Sequence, residues 1–433
     1  MTKFVAHITI EAKTPLKVGS NESDVLQDSP IQKDWNGLPM ILGTSIAGVL
    51  RKEFDQNTAD EIFGTDCERY KNDNKLLNKC LKESKGSKII ISNALLLDEK
   101  KEVNEDLLLE KSDFLKLFDN LPIREHTVLD DKGVSDNKFD EEVVYKGTQF
   151  KFSIEYIEDS KQIFENILDT LYQNHFRIGG GSTKGFGSIE IIHIKWDRFD
   201  QNNYSQYSSS LNYHLPKNYT KEKTSSKNYT KYTLKLIPDD FFIFGSGFGD
   251  DEADATPVYE KTIKYDGKDS RLDDEQILIP ASSIKGVIAH RTTYNYNLQN
   301  KLFIGNDEAK NSITEIFGEA KDSKDDSKKG SKGKVIFSDC YLKESDTKVF
   351  DHVAIDRFTG GAIDGALFQE KTVASNDSFV VEILLDKSVE GKELKAFETT
   401  LKDICSGMLG LGGMTTKGHG FFSGDVFKDG EKL

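Results

Sequence analysis

The chain lacks a CxxC pair, a long apolar run and a basic excess. Its four cysteines, Cys67, Cys80, Cys340 and Cys405, are too scattered for a zinc ribbon, and a reduced setting is expected for them. No run of 18 apolar residues is present, so no membrane-spanning helix is expected. The opening stretch MTKFVAHITIEAK reads as a strand without an apolar signal core, which points to the cytoplasm. With 73 acidic against 58 basic residues the net charge is −15. That balance argues against a simple basic nucleic-acid-binding domain, unless the basic residues cluster in particular loops.

What is present is a duplication. LPMILGTSIAGVLRKEF (38–54) returns as ILIPASSIKGVIAHR (277–291), and EIFGT (61–65) as EIFGE (315–319). KIIISNALLL (88–97) returns as KVIFSDCYLK (334–343), and RIGGGSTKGFGSIEI (177–191) as GLGGMTTKGHGFFSGDV (410–426). Four segments recurring in one order mark a tandem duplication of a domain of roughly 200 residues. The first domain is expected over 1–196 and the second over 231–433. Residues 197–230, rich in Asn, Ser, Tyr and Lys without apolar periodicity, read as the linker. Residues 319–334 read as a charged loop.

Each repeat has one order of elements. A strand with alternating apolar residues opens it, at 4–12 or 231–237. A helix starts near Ser45 or Ser283, with Thr44, Ser45, Ser282 and Ser283 as N-cap residues. Two strands follow, at 88–97 and 148–156, or at 334–342 and 379–385. A second helix at 162–176 or 392–408 leads into a Gly-rich loop and a last strand. The order βαββαβ, an α+β class, is that of a ferredoxin-like, RRM-type fold.

The Gly-rich loops IGGGSTKGFG (178–187) and LGGMTTKGHG (411–420) each surround one lysine, Lys184 or Lys417. They follow a helix and precede a strand, so they are not P-loops. Two readings fit: a helix C-cap and bulge with no ligand, or a backbone cradle for phosphate. The recurrence favours the cradle. Helix N-termini at the matched starts suit phosphate as well.

PASSIKG with the closing GG-x-TTKG-x-G resembles the signatures of the RAMP superfamily, the RNA-binding proteins of CRISPR systems. Residues 28–51 resemble the backbone subunits of type III effectors. Residues 352–373, HVAIDRFTGGAIDGALFQEKTV, and their counterpart 126–144 resemble the thumb of those subunits. Two such domains in one chain are similar to the fused double backbone subunit of type III-D-like complexes. Departures exist. Ala47 stands where the family has Lys, whereas Pro280 and Lys285 are kept. Arg291 lies two positions beyond the usual Arg, where Ala289 sits instead.

The resemblance implies two tandem ferredoxin-like domains with thumb hairpins and loop insertions. It implies contacts to guide RNA from Ser45, Arg51, Lys52, His126 and Lys184 in repeat one. In repeat two they come from Ser283, Lys285, Arg291, His352, Arg357 and Lys417. An Asp in the loop before the first helix is implied to cut complementary target RNA. Asp28 holds that place in repeat one and Asp254 in repeat two, with Asp24, Asp250 and Asp251 as rivals. One carboxylate can activate a 2′-hydroxyl, or hold Mg2+ or Mn2+ against a phosphate. An Asp before Ser-Pro or Ala-Thr-Pro is otherwise a turn starter. The implied partners are guide RNA, complementary target RNA and other type III subunits. Histidines 126 and 352, at matched positions, read as contact or packing at the thumb base. Phe186, Phe358, Phe368 and Phe421 are candidates for base stacking. The rival readings are a non-catalytic scaffold of the same complex, a guide-precursor processing endoribonuclease and a tandem RRM-like module for unrelated RNA.

Overall fold

Nearly every residue of the opening strand, Lys3–Ala12, is buried, although its alternation predicts one covered face. The reason lies on both sides of the sheet. This is a computed structural model that describes residues 2–20, 29–107, 109–129, 135–303, 305–319, 330–342, 346–374 and 378–433. Asp24, Asp28, residues 130–134 of the first thumb and residues 320–329 of the charged loop lie outside the described residues.

Two units pack separately. The first comprises Met1–Gly180, Gly187–Thr224 and Thr262–Asp273. The second comprises Gly181–Phe186, Ser225–Lys261 and Asp274–Leu433.

In the first unit the strand Lys3–Ala12 lies between Gln149–Tyr156 and Ile189–Phe199, antiparallel to both. Ile89–Ile91 and Ala94–Leu96 extend the far side of Gln149–Tyr156. Counting the strands in chain order, this is the 4-1-3-2 order of a ferredoxin-like sheet. The helices Gly43–Arg51 and Lys161–Leu171 bury Ile46, Leu50, Phe164, Ile167 and Leu168 on one face. Residues expected to be a linker cover the other. The strand Lys217–Tyr219 pairs with Ile189–Phe199, and Leu215 packs with Val5 and Phe199. Burial of these scattered apolar residues holds the segment against the sheet without any periodicity of its own.

The second unit repeats the order. Val335–Phe337, Phe379–Asp386, Tyr229–Pro238 and Phe422–Lys428 are neighbours in that sequence. The helices Ala281–Asn300 and Gly391–Cys405 pack on one face, with Ile284, Ile288, Phe397 and Leu401 in the core.

Both helix starts depart from expectation. The helices begin at Gly43 and Ala281, so Thr44, Ser45, Ser282 and Ser283 fall inside the first turn and cap nothing. The first amides are satisfied from elsewhere. Gly43 N donates to Asn93 Oδ1 at 2.9 Å, and Ala281 N donates to Asp339 Oδ1 at 2.8 Å. A side chain on the neighbouring strand thus does the work a local N-cap would do. The expected free thiols are also only half right: Cys67 and Cys80 form a disulfide, with Cα atoms 5.7 Å apart, and Cys340 and Cys405 are free.

Each unit carries a two-stranded antiparallel hairpin between its second and third sheet strands. One is Ile123–Leu129 with Ser135–Glu142, and the other is Asp346–Ile355 with Ala362–Ala374.

Candidate nucleic-acid interface

The two hairpin bases are built alike. His126 lies directly opposite Phe139, and His352 opposite Phe368. Opposed side chains share one face of a ribbon, as do residues two apart. The rings of each pair stack, with centroids 5.0 Å apart for His126 and Phe139 and 6.4 Å for His352 and Phe368. Two residues beyond each phenylalanine stands a glutamate, Glu141 or Glu370, in reach of the histidine. Nε2 of His126 is 3.1 Å from Glu141, and Nε2 of His352 is 2.9 Å from Glu370.

Glu370 is fully buried. Besides His352, it accepts hydrogen bonds from Lys417 Nζ at 3.3 Å and His419 Nε2 at 2.9 Å. Burial by itself raises its carboxyl, but the bonds from His352, Lys417 and His419 outweigh burial and hold it below the ordinary range. Lys417 also sits 4.9 Å over the Phe368 ring. Glu141 is bonded by Lys17 and His126. Neither glutamate was singled out in the sequence. The signal was there: Phe-x-Glu occurs at 139–141 and at 368–370, in matched places of the two repeats.

The acidic loop of the second unit is fastened to its hairpin. Gln369 N donates to Asp254 Oδ2 at 2.8 Å, and Asp254 N donates to Gln369 O at 2.9 Å. Asp254 is otherwise exposed. Of its rivals, Asp250 pairs with Lys371 Nζ at 2.8 Å and is held below the usual carboxylate range by that bond, while Asp251 is exposed. In the first unit the stretch just after Asp28 is fastened in the same way. Ile31 N and Lys33 Nζ each donate to Glu142, the residue after Glu141, at 3.0 Å. Among the described residues no three His, Cys, Asp or Glu side chains gather into a group that could hold a metal ion. Around Asp254 the described side chains therefore do not by themselves form a site for Mg2+ or Mn2+.

The other expected contacts are scattered over the helix starts and loops. Arg51 is committed to its own unit, donating to Gly64 O at 2.7 Å and pairing with Asp60. Arg291 is likewise bonded to Asp403 at 2.7 Å and stacked on Tyr294. Lys52 is exposed at the end of its helix, Ser45 is half-buried and Ser283 is exposed. Lys285 donates to Thr183 Oγ1 at 3.3 Å. Its burial, with Lys184 nearby, pushes its ammonium down to about 8.

The Gly-rich loops share one shape. A left-handed residue, Gly181 or Met414, precedes a short turn at Ser182–Lys184 or Thr415–Lys417, and a second left-handed glycine, Gly185 or Gly418, closes it. Outside this turn the glycines are required by the chain itself. A Cβ on Gly179 would lie 2.3 Å from Lys17 O, and one on Gly412 would lie 2.4 Å from Ile243 O. The glycines are thus explained by close backbone packing, and the cradle is narrower than the motif suggests.

The far end of the second hairpin is apolar and open. Phe358 is 100% exposed, with Val353, Ile355 and Leu367 more than half exposed. Asp356 builds the tip, accepting from Phe358 N at 2.8 Å and Thr359 N at 2.7 Å. Arg357 is exposed between them. Phe186, by contrast, is fully buried and has no face to offer a base. No helix among the described residues is long and apolar enough to cross a membrane.

A search of curated proteins finds no match. A family model does match, twice and in tandem, over residues 9–190 and 242–423. Both matches run through the ferredoxin-like sheet, the hairpin and the Gly-rich loop of one repeat, and together they cover most of the sequence: the chain belongs to the RAMP superfamily, a family associated with RNA binding and CRISPR complexes.

Proposed function

We propose that this chain is a guide-RNA-binding backbone subunit of a type III CRISPR ribonucleoprotein, and that each repeat cuts the complementary target once. The observation that carries this reading is the fastening of the Asp254 loop to the base of the second hairpin, with Ile31 and Lys33 of the first unit bonded to Glu142 at the base of its hairpin. A hairpin that wedges between paired nucleotides fixes where the target backbone is kinked, and the loop beside its base meets that kink.

In this mechanism the guide backbone passes the helix starts and Gly-rich loops, where Lys52, Lys184, Lys285 and Lys417 supply charge without reading sequence. Phe358 and its apolar neighbours at the hairpin tip displace a target base from the stack. The Asp254 carboxylate takes the proton of the target 2′-hydroxyl, and that oxygen attacks the adjacent phosphorus. The P–O5′ bond breaks, giving a 2′,3′-cyclic phosphate and a 5′-hydroxyl, with a proton returned to the leaving oxygen from solvent. Positioning supplies much of the rate, because the attacking oxygen, phosphorus and leaving oxygen must be brought into line. Asp28 serves the first repeat in the same role. Sequence choice comes from guide pairing, as in other RNA-guided systems.

A specific observation favours a second reading, a non-catalytic scaffold: Asp254 already spends one carboxylate oxygen on Gln369. The test is cleavage of labelled complementary RNA by the assembled complex, with and without divalent metal. Asp28→Asn removes one product band and Asp254→Asn another, while guide retention stays. If both variants keep every band, the scaffold reading replaces the nuclease reading. Loss of bands only when metal is chelated would assign the missing ligands to RNA and water.

A further inference from the structure

One ion pair recurs at matched places on the outer faces of the two sheets. In the first unit Val5 lies opposite Glu155, and in the second Thr233 lies opposite Glu382. Two residues before Val5 and Thr233 stand Lys3 and Lys231, each paired with the glutamate of its own sheet. Alternation along the strands puts lysine and glutamate on the face away from the helices.

The surroundings of the two pairs differ. In the first unit Lys3 and Glu155 are only 13% and 9% exposed, because the segment after the last strand crosses them. Tyr207 of that segment donates its hydroxyl to Glu155 at 2.7 Å, and its ring lies 4.4 Å from the Lys3 ammonium. One tyrosine thus satisfies both charges. In the second unit the same pair is open, with Lys231 37% and Glu382 49% exposed. Val380, two residues from Glu382, and Ile237 are exposed on the same face. An open cavity of about 450 Å3 continues the face past Val380 and Glu382 to Cys340 and Tyr341. Cys340 Sγ donates to Val380 O at 2.9 Å, so the thiol lies beside the open surface.

We propose that this face of the second unit binds an extended segment of another protein through a tyrosine. Its hydroxyl bonds Glu382 and its ring covers Lys231, as Tyr207 does for the matched pair. Val380 lies about 7 Å along the strand from Glu382, the span of two residues, so the segment carries an aliphatic residue two positions from its tyrosine. The chain's own Tyr207 is spent on the first sheet, which makes the partner a different protein. The charges favour a polypeptide over a nucleic acid. Lys231 is paired with Glu382, Lys432 with Asp425 at 2.7 Å, and Lys235 lies 5.0 Å from the Phe427 ring centroid, so these lysines offer phosphates no surplus charge. None of these residues enters the RNA reading, and the two stand or fall separately.

The test selects a displayed library of random dodecapeptides on the immobilised full-length chain, stripped of bound nucleic acid. Peptides carrying Tyr-x-aliphatic or aliphatic-x-Tyr are enriched. The selected peptide, made synthetically, protects Cys340 from iodoacetamide. Burial pushes the Cys405 thiol up to about 12, so it does not compete for the label. Changing the peptide's tyrosine to phenylalanine weakens binding about 10-fold, as does Glu382→Gln, which keeps the shape of the face. Glu382→Lys and Val380→Asp, both at exposed strand positions, abolish it, while guide retention by all three variants is unchanged. No enrichment, enriched peptides without tyrosine, or binding that survives Glu382→Gln and Val380→Asp would each overturn the proposal. So would protection of Cys340 by single-stranded RNA in place of peptide, which would make nucleic acid the occupant.

Discussion

Replacing Glu370 by Gln tests the structural argument at its centre. The carboxylate is fully buried and receives Lys417, His419 and His352. Glutamine keeps the shape but loses the charge, and one of its two terminal atoms becomes a donor. His352 and Lys417 are each about one-third exposed and can turn to water, whereas His419 is only 10% exposed and cannot. The cost is then one buried donor left poorly paired, with the charge assistance lost, or about 2–3 kcal/mol. Breaking a fully enclosed ion pair costs more, about 3–5 kcal/mol, and the partial exposure of the two cations argues for the lower figure. The hairpin Asp346–Ile355 with Ala362–Ala374 is held at its base by this group, so the cost appears as local opening. Amide exchange across both strands speeds up by about 30- to 150-fold, while exchange in the first unit's hairpin is unchanged. The pH dependence follows the depressed carboxyl. Its contribution is complete above the unfolded glutamate value of about 4.3, and is lost as pH falls through the lower folded value. The gap between wild type and variant therefore closes below about pH 4. Equal exchange rates at pH 7 would refute the reasoning, because they would mean that the histidines and lysine hold the hairpin without the carboxylate.

Gly185→Ala destabilises the second unit by about 2–3 kcal/mol in chemical denaturation, since the new methyl meets Asp339 and Ala281 in a left-handed backbone, whereas Gly418→Ala costs only about 1 kcal/mol for its backbone. Equal costs would mean that Gly185 is loosely packed. Lys285 loses its proton near pH 8. Its attraction for a phosphate is full below that pH and gone above it, so guide retention measured by filter binding falls between pH 7 and 9, and Lys285→Arg, which stays charged, flattens that fall. An identical decline in both proteins would remove Lys285 from the guide path.

The sequence exposed whatever depends on local periodicity and on repetition. The alternation in residues 4–12 and 231–237, the apolar spacing of both helix pairs and the four recurring segments led to the ferredoxin-like order of the sheets, while the hairpins between their second and third strands were implied by the resemblance of residues 126–144 and 352–373 to a thumb. What was missed depends on contacts between residues far apart in the chain. Asn93 and Asp339 cap helices that begin some 50 residues earlier, and no local pattern at Ser45 or Ser283 reveals that. Leu211 and Leu215 look like linker residues until the sheet face they cover is known. The disulfide between Cys67 and Cys80 joins two short elements whose geometry is set by the insertion around them. Glu141 and Glu370 are a different case. They were legible through the Phe-x-Glu that occurs at matched places of the two repeats.

The glycines and the lysine of the Gly-rich motif have different roles. A recurring run of glycines around a lysine invites a phosphate, because bare backbone amides and a cation are what a phosphate needs. Yet Gly179 and Gly412 are fixed by carbonyl oxygens of their own unit, and Gly185 by Asp339, so these glycines would recur whether or not any ligand bound. The chemistry that remains to the motif sits in the turns between them. There the repeats diverge: Lys184 is half-buried beside Lys285, while Lys417 is shared between Glu370 and the Phe368 ring. Lys417→Ala should therefore do what Lys184→Ala does not. It removes a partner of the buried carboxylate, so it loosens the second hairpin as well as weakening RNA retention. Lys184→Ala relieves a repulsion instead, and raises the pH at which Lys285 titrates. Hydrogen exchange of the hairpin and titration of Lys285 by amine-reactive labelling read these two effects on independent groups. If Lys417→Ala leaves hairpin exchange unchanged, the motif's lysine serves only an external ligand, and the hairpin base is held by its histidines alone.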